Sequence, residues 1–211
     1  MPERSRNHAR AVACAAVAGV ALAAGCGSDR PSAEPIANEA PRSLMGAWQP
    51  VPFGVAPATI NEAERVCSGV DIPGRDLPLV AVDARGGTLL FLVYAGPAAE
   101  SDCILQFDKA RATGDAGGSS SSGEAIVPPA PGDVTVFDSG IGGGFENLAY
   151  TSLVGLFGPG VGRVEIVTTN GRRLDAALGP TGWFAAWWPG DDEYASVTAY
   201  DAMGTRTGTT P

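Results

Sequence analysis

Apolar and polar positions alternate in short runs between residues 77 and 201, and glycine, proline or asparagine interrupts the chain at most breaks. This pattern predicts β-strands joined by tight turns, in an antiparallel sheet or sandwich. The cleanest alternation is at Val164, Ile166 and Thr168, followed beyond Asn170-Gly171 by Leu174, Ala176 and Leu178. A two-residue Asn-Gly turn would set Ile166 opposite Asp175 and mix the two faces. A three-residue loop, Thr169-Asn170-Gly171 with Gly171 left-handed, instead pairs Ile166 with Leu174 and Val164 with Ala176. Further strands are expected over 148–157, 183–188 and 195–201, with turns at Pro189-Gly190 and Met203-Gly204.

In the first half, Thr59-Ile60-Asn61-Glu62 has capping-box spacing, and Ile60, Ala63 and Cys67 share one helical face. A short helix there presents Cys67 inward. Residues 77–84 and 88–95 read as two strands flanking Arg85-Gly86-Gly87. The second strand is apolar on both faces, Leu89 to Val93, which predicts a central strand covered on both sides, by the helix on one. A third strand is expected at 103–107. The resulting fold class is mainly β, with α+β as the neighbouring class: an antiparallel sheet or sandwich with one short N-terminal helix and one disulfide.

The N-terminal residues obey a different pattern. Arg4, Arg6 and Arg10 precede an uncharged run of 14 residues, 11–24, that ends in Leu22-Ala23-Ala24-Gly25-Cys26. That length suits the apolar core of an export signal and falls short of the roughly 18 residues a spanning helix needs. The segment resembles a bacterial lipoprotein signal, which implies cleavage of residues 1–25 and lipidation of Cys26. Plain secretion is the alternative. Residues 26–43 are polar and proline-rich and are expected to be a disordered tether. Beyond it, 44–112 is expected to be a lobe of helix and antiparallel strands stapled by a disulfide. The Gly/Ser/Pro-rich stretch 113–132 reads as a linker or loop, 133–206 as an antiparallel β lobe, and 207–211 as a flexible C-terminus. The two halves are either one domain or two.

Charge and composition narrow the chemistry. The full chain has a formal charge of −9, and residues 1–25 hold three arginines against one glutamate, which leaves −11 on the remainder. Such a body repels phosphate backbones, so nucleic acid is not an expected partner. The one histidine, His8, lies in the signal, and Lys109 is the sole lysine. Ser-His-Asp and Cys-His activation both need an imidazole, and zinc usually takes histidine or several thiolates. No catalytic residue, metal ligand or cofactor site is therefore assigned. With Cys14 in the signal and Cys26 lipidated, Cys67 and Cys103 remain to form one disulfide in an oxidising compartment.

Three constellations remain. Asp138-Ser139-Gly140-Ile141-Gly142 superficially resembles a serine-protease nucleophile segment, but without an imidazole it reads as a glycine-rich turn. Asp191, Asp192 and Glu193 read as a solvated acidic turn, with a calcium site as the less favoured reading. Trp183, Trp187 and Trp188 are the densest aromatic group, on a strand whose faces alternate. Burial on both sides is the first expectation. The alternative is a candidate aromatic contact surface for a glycan or protein.

The segments Gly158-Pro159-Gly160-Val161, Asn170-Gly171-Arg172 and Gly182-Trp183-Phe184-Ala185-Ala186-Trp187-Trp188-Pro189-Gly190 resemble uncharacterised secreted proteins and lipoproteins of actinobacteria. The resemblance covers about the last 55 residues. It implies a β-rich extracytoplasmic domain and carries no activity, substrate or catalytic residue. The expected function is a non-enzymatic binding or protein-interaction module of the cell envelope, held to the membrane through lipid on Cys26, with an envelope protein or glycan as partner. The alternative is a carboxylate-based hydrolase of envelope polymers, which needs two acids facing each other across a substrate.

Overall fold

Pro57 sets the start of helix α1 (Pro57–Cys67): it occupies the first turn, where the missing N–H has no partner to lose. The N-cap is Ala56, with no side-chain hydrogen bond, so the capping box expected at Thr59 does not form. The ring's preset φ begins the helix ahead of Thr59, placing that residue inside the first turn. Ala63 and Cys67 are buried on the inner face, as their spacing requires.

The computed structural model describes residues 48–69, 76–85, 89–108, 111–117, 120–122, 125–145 and 148–211. All belong to one compact unit, Ile36–Pro211; the other unit, Met1–Pro35, lies outside the described residues. So do the expected signal, Cys26 and the tether.

Among the described residues, thirteen strands form three antiparallel sheets. The first sheet is ordered β1 (Leu79–Arg85), β2 (Leu89–Ala95), β3 (Ala99–Asp108), β4 (Arg111–Gly117), with β5 (Ser120–Ser122) also on β3. Strands β4 and β5 occupy the stretch that reads as a loop in the sequence. The second sheet runs β10 (Ala177–Leu178), β11 (Trp183–Pro189), β7 (Leu148–Phe157), β6 (Val134–Phe145). The third runs β13 (Arg206–Thr210), β12 (Tyr194–Asp201), β8 (Val161–Thr168), β9 (Arg173–Asp175). Here the expected flexible C-terminus is a paired edge strand, β13, with Val197 opposite Thr210.

Four layers result. Helix α1 packs Ala63 and Cys67 on Leu90, Leu92, Cys103 and Leu105 of the first sheet. The opposite face of that sheet, through Leu89, Phe91 and Val93, meets Val154, Trp183, Ala185 and Trp187 of the second. The second sheet's other face, through Leu153, Phe184, Ala186 and Trp188, meets Val164, Ile166, Val197 and Ala199 of the third. Every residue of β2 and of β11 is buried because each strand lies in a sheet covered on both faces. The third sheet is covered on one face, so β8 alternates. Its hairpin pairs Ile166 with Leu174 through a loop whose Gly171 has φ +85°. At that φ a Cβ would strain the backbone, which is why the loop is built on glycine.

Gly155 of β7 faces Phe184 of β11 in register. A Cβ on Gly155 would stand 2.3 Å from the Phe184 ring and 2.5 Å from the Thr135 carbonyl. Gly155→Ala is expected to destabilise the fold by about 1–3 kcal/mol through overpacking, measured by urea unfolding. A change under about 0.3 kcal/mol would show that the ring moves aside at little cost.

Candidate functional site

Charged residues embedded in strand β1 organise the layers. Asp83 and Arg85 are fully buried, and Arg85 Nε donates to Asp83 Oδ2 at 2.7 Å. The guanidinium also donates to the carbonyl of Pro50 at 2.6 Å and to that of Asp175 on β9. Asp83 Oδ2 accepts the backbone N–H of Trp187 at 3.0 Å, while Trp48 Nε1 donates to the Trp187 carbonyl at 3.3 Å. β10 pairs only with Ala185 and Phe184, so these two side chains take the backbone groups that β10 is too short to reach. The Trp48 ring also lies 5.9 Å from Arg85 and 5.3 Å from Arg172, within cation–π range. One buried ion pair thus ties the three sheets and the N-terminal strap at Trp48 to Phe53, whose last N–H reaches Ala84.

Burial pushes the Asp83 carboxyl up to about 6, against the opposing pull of Arg85 and of the Trp187 N–H. Its Oδ1 has no hydrogen-bond partner, consistent with that direction. A carboxyl whose folded pKa exceeds its unfolded one adds stability that is complete below the unfolded value and vanishes as pH rises through the folded value. Lowering the pH from about 7.5 to about 5 is therefore expected to yield about 1.5 kcal/mol from this group. The check is the pH dependence of urea unfolding, which should be flatter in Asp83→Asn by that amount.

An open depression of about 550 Å³ is the candidate binding site. It lies where the second and third sheets part. Ser139, Gly140 and Ile141 come from β6, Thr151 from β7, Glu193 and Tyr194 from the entry to β12, and Pro211 from the chain end. β6 is the edge of its sheet, and Ile141, opposite Thr151, is 58% exposed. The Thr151 hydroxyl donates to the Gly190 carbonyl at 3.0 Å and fixes the turn that delivers Glu193. The site thus combines hydroxyls, an aromatic ring, an aliphatic side chain and one carboxylate. That set can hydrogen-bond and stack a polar ligand; a two-carboxylate hydrolysis would need a second acid facing Glu193. No protein-family model, curated protein or solved structure matches the chain.

The expected site residues fall as follows. Cys67 and Cys103 are bonded, with Cα atoms 6.1 Å apart. Trp183, Trp187 and Trp188 do not form a surface: they are 6%, 1% and 0% exposed, Trp183 and Trp187 in one core and Trp188 in the other. The stacked sheets bury both faces of their strand. Asp138 to Gly142, read as a turn, lies within β6, and Asp138 Oδ1 accepts the Ser139 N–H at 2.9 Å. The long run is held extended by its ladder with β7, where Tyr150 fills the space over Gly142. In the acidic turn, Asp192 accepts from Asn170 Nδ2 and lies 3.9 Å from Arg172, while Glu193 faces the depression. Among the described residues no three acids, cysteines or histidines are grouped as metal ligands. The hub at Asp83, Arg85 and Trp48 went unseen in the sequence. Its only signal was a charged pair two residues apart within an apolar strand.

Proposed function

We propose that the protein is a lipid-anchored, extracytoplasmic binding module of the cell envelope that holds its ligand in the groove beside β6. The reading rests on that groove, with exposed Ile141 and the Tyr194 ring set among hydroxyls and one carboxylate at a sheet edge. Aromatic and aliphatic surface with hydrogen-bonding rims suits recognition of a hydroxyl-rich polymer such as an envelope glycan. The sequence of residues 1–26 supports the address, and the Cys67–Cys103 bond accords with an oxidising compartment. The anchor is the acylated Cys26, with two or more chains needed for stable attachment.

The test is calorimetric titration of the protein, freed of residues 1–43, with soluble envelope glycan fragments. Binding is expected, and Tyr194→Ala should weaken it by about tenfold. Silence toward glycans, combined with turnover of an envelope polymer by the purified protein, would overturn the reading in favour of a hydrolase.

A further inference from the structure

The loop between β8 and β9 carries a reactive step, Asn170-Gly171, in which all three loop residues Thr169, Asn170 and Gly171 are exposed. Glycine lacks a side chain to shield its backbone nitrogen and moves freely in an open chain. There the Gly171 nitrogen readily meets the neighbouring Asn170 carboxamide, and the chemistry that follows is deamidation.

In the fold both reacting groups are engaged. The Gly171 N–H donates to the Thr168 carbonyl at 2.9 Å. Asn170 Oδ1 accepts the Thr168 hydroxyl at 2.6 Å and the Arg172 N–H at 3.2 Å, and Asn170 Nδ2 donates to Asp192 Oδ2. Asp192 is itself held in place. Its carbonyl accepts Trp188 Nε1 at 2.8 Å, and the next carbonyl, that of Glu193, accepts the Thr169 N–H at 2.8 Å. Trp188 is fully buried, so the clamp on the carboxamide is rooted in the core rather than in the loop. Attack by the Gly171 nitrogen requires its bond to Thr168 and the bonds that orient the carboxamide to open together, and each adds to the cost of that opening.

The products fit the clamp badly. Aspartate at this position offers an oxygen to Asp192 where the amide offered a donor, and two carboxylates at hydrogen-bonding distance repel. Isoaspartate lengthens the main chain of a loop whose length sets the pairing of Ile166 with Leu174.

We propose that Asn170 is a deamidation site that the bonds to Thr168, Arg172 and Asp192 keep latent, so that its conversion records opening of the β8–β9 hairpin. The Gly171 nitrogen bonds to Asn170 Cγ while the Cγ–Nδ2 bond breaks, and ammonia leaves with the proton of the Gly171 N–H. Water then opens the cyclic imide at one carbonyl or the other, giving aspartate or isoaspartate. The site is separate from the β6 groove and does not depend on the function proposed there.

Peptide mapping of the disulfide-bonded protein, aged in mildly alkaline buffer with and without guanidinium chloride, tests the assignment. In denaturant Asn170 is expected to convert to a mixture of aspartate and isoaspartate, and in the folded protein to do so at least about tenfold more slowly. Asp192→Ala, which removes the acceptor for Nδ2, should speed the folded reaction about three- to tenfold and leave the rate in denaturant unchanged. Asn170→Asp should lower Tm and the amide protection of Thr169 and Gly171. An Asn170 that stays intact in denaturant, equal rates in the folded and unfolded protein, an unchanged folded rate in Asp192→Ala, or parent-like protection in Asn170→Asp would each overturn the proposal.

Discussion

Arg85→Met is expected to lower the unfolding free energy by about 3–5 kcal/mol, the usual cost of removing one partner from a buried ion pair. Arg85 has no exposed surface, and its guanidinium satisfies a carboxylate and two carbonyls from three separate parts of the chain. Methionine leaves Asp83 buried among apolar side chains and forces it either to stay charged without a partner or to take up a proton. It also takes a donor from the Asp175 carbonyl and from that of Pro50, which keeps the Asp175 N–H at 2.9 Å. The double variant Asp83→Leu/Arg85→Met removes both charges and is expected to lose less than the sum of the two single changes. Urea unfolding of the four proteins measures the coupling. Additive losses would mean that the pair acts through packing alone.

Removing the disulfide as Cys67→Ala/Cys103→Ala is expected to cost about 4 kcal/mol, the chain-entropy value for releasing a loop of this length. The bond spans 36 residues and joins the end of α1 to β3 beneath it. Besides freeing the unfolded chain, its loss removes a covalent cross-link between the helical layer and the first sheet. Amide exchange should show it, with protection falling in α1 while β11, in the layer below, keeps most of its own. Uniform loss of protection would mean that helix and sheets unfold only as one unit.

Much of the strand content was legible because alternation and turn residues act locally. The Thr169-Asn170-Gly171 loop followed from asking which register keeps Ile166 and Leu174 on one face, and that register is observed. The two-sided apolar run at Leu89 to Val93 announced a strand covered on both faces, and β2 is one. Local reasoning failed where a residue answered to distant neighbours. Asp138 to Gly142 has turn composition, yet β7 pairs it into a strand; Arg85 was assigned to a turn, yet it ends β1 in the core. The candidate groove was not legible, because it joins β6, β7, β12 and the chain end, which touch only when the sheets stack.

The sequence by itself determined the β class, the helix and its buried face, the cysteine pair and the absence of an imidazole beyond residue 8. These depend on local periodicity, on elimination among few residues, or on composition. Only the tertiary structure decided that three sheets stack beneath one helix, that the tryptophans fill two cores, and that an ion pair joins the layers. Layer order rests on which apolar faces meet across long stretches of chain, and periodicity says that a face is buried without saying against what.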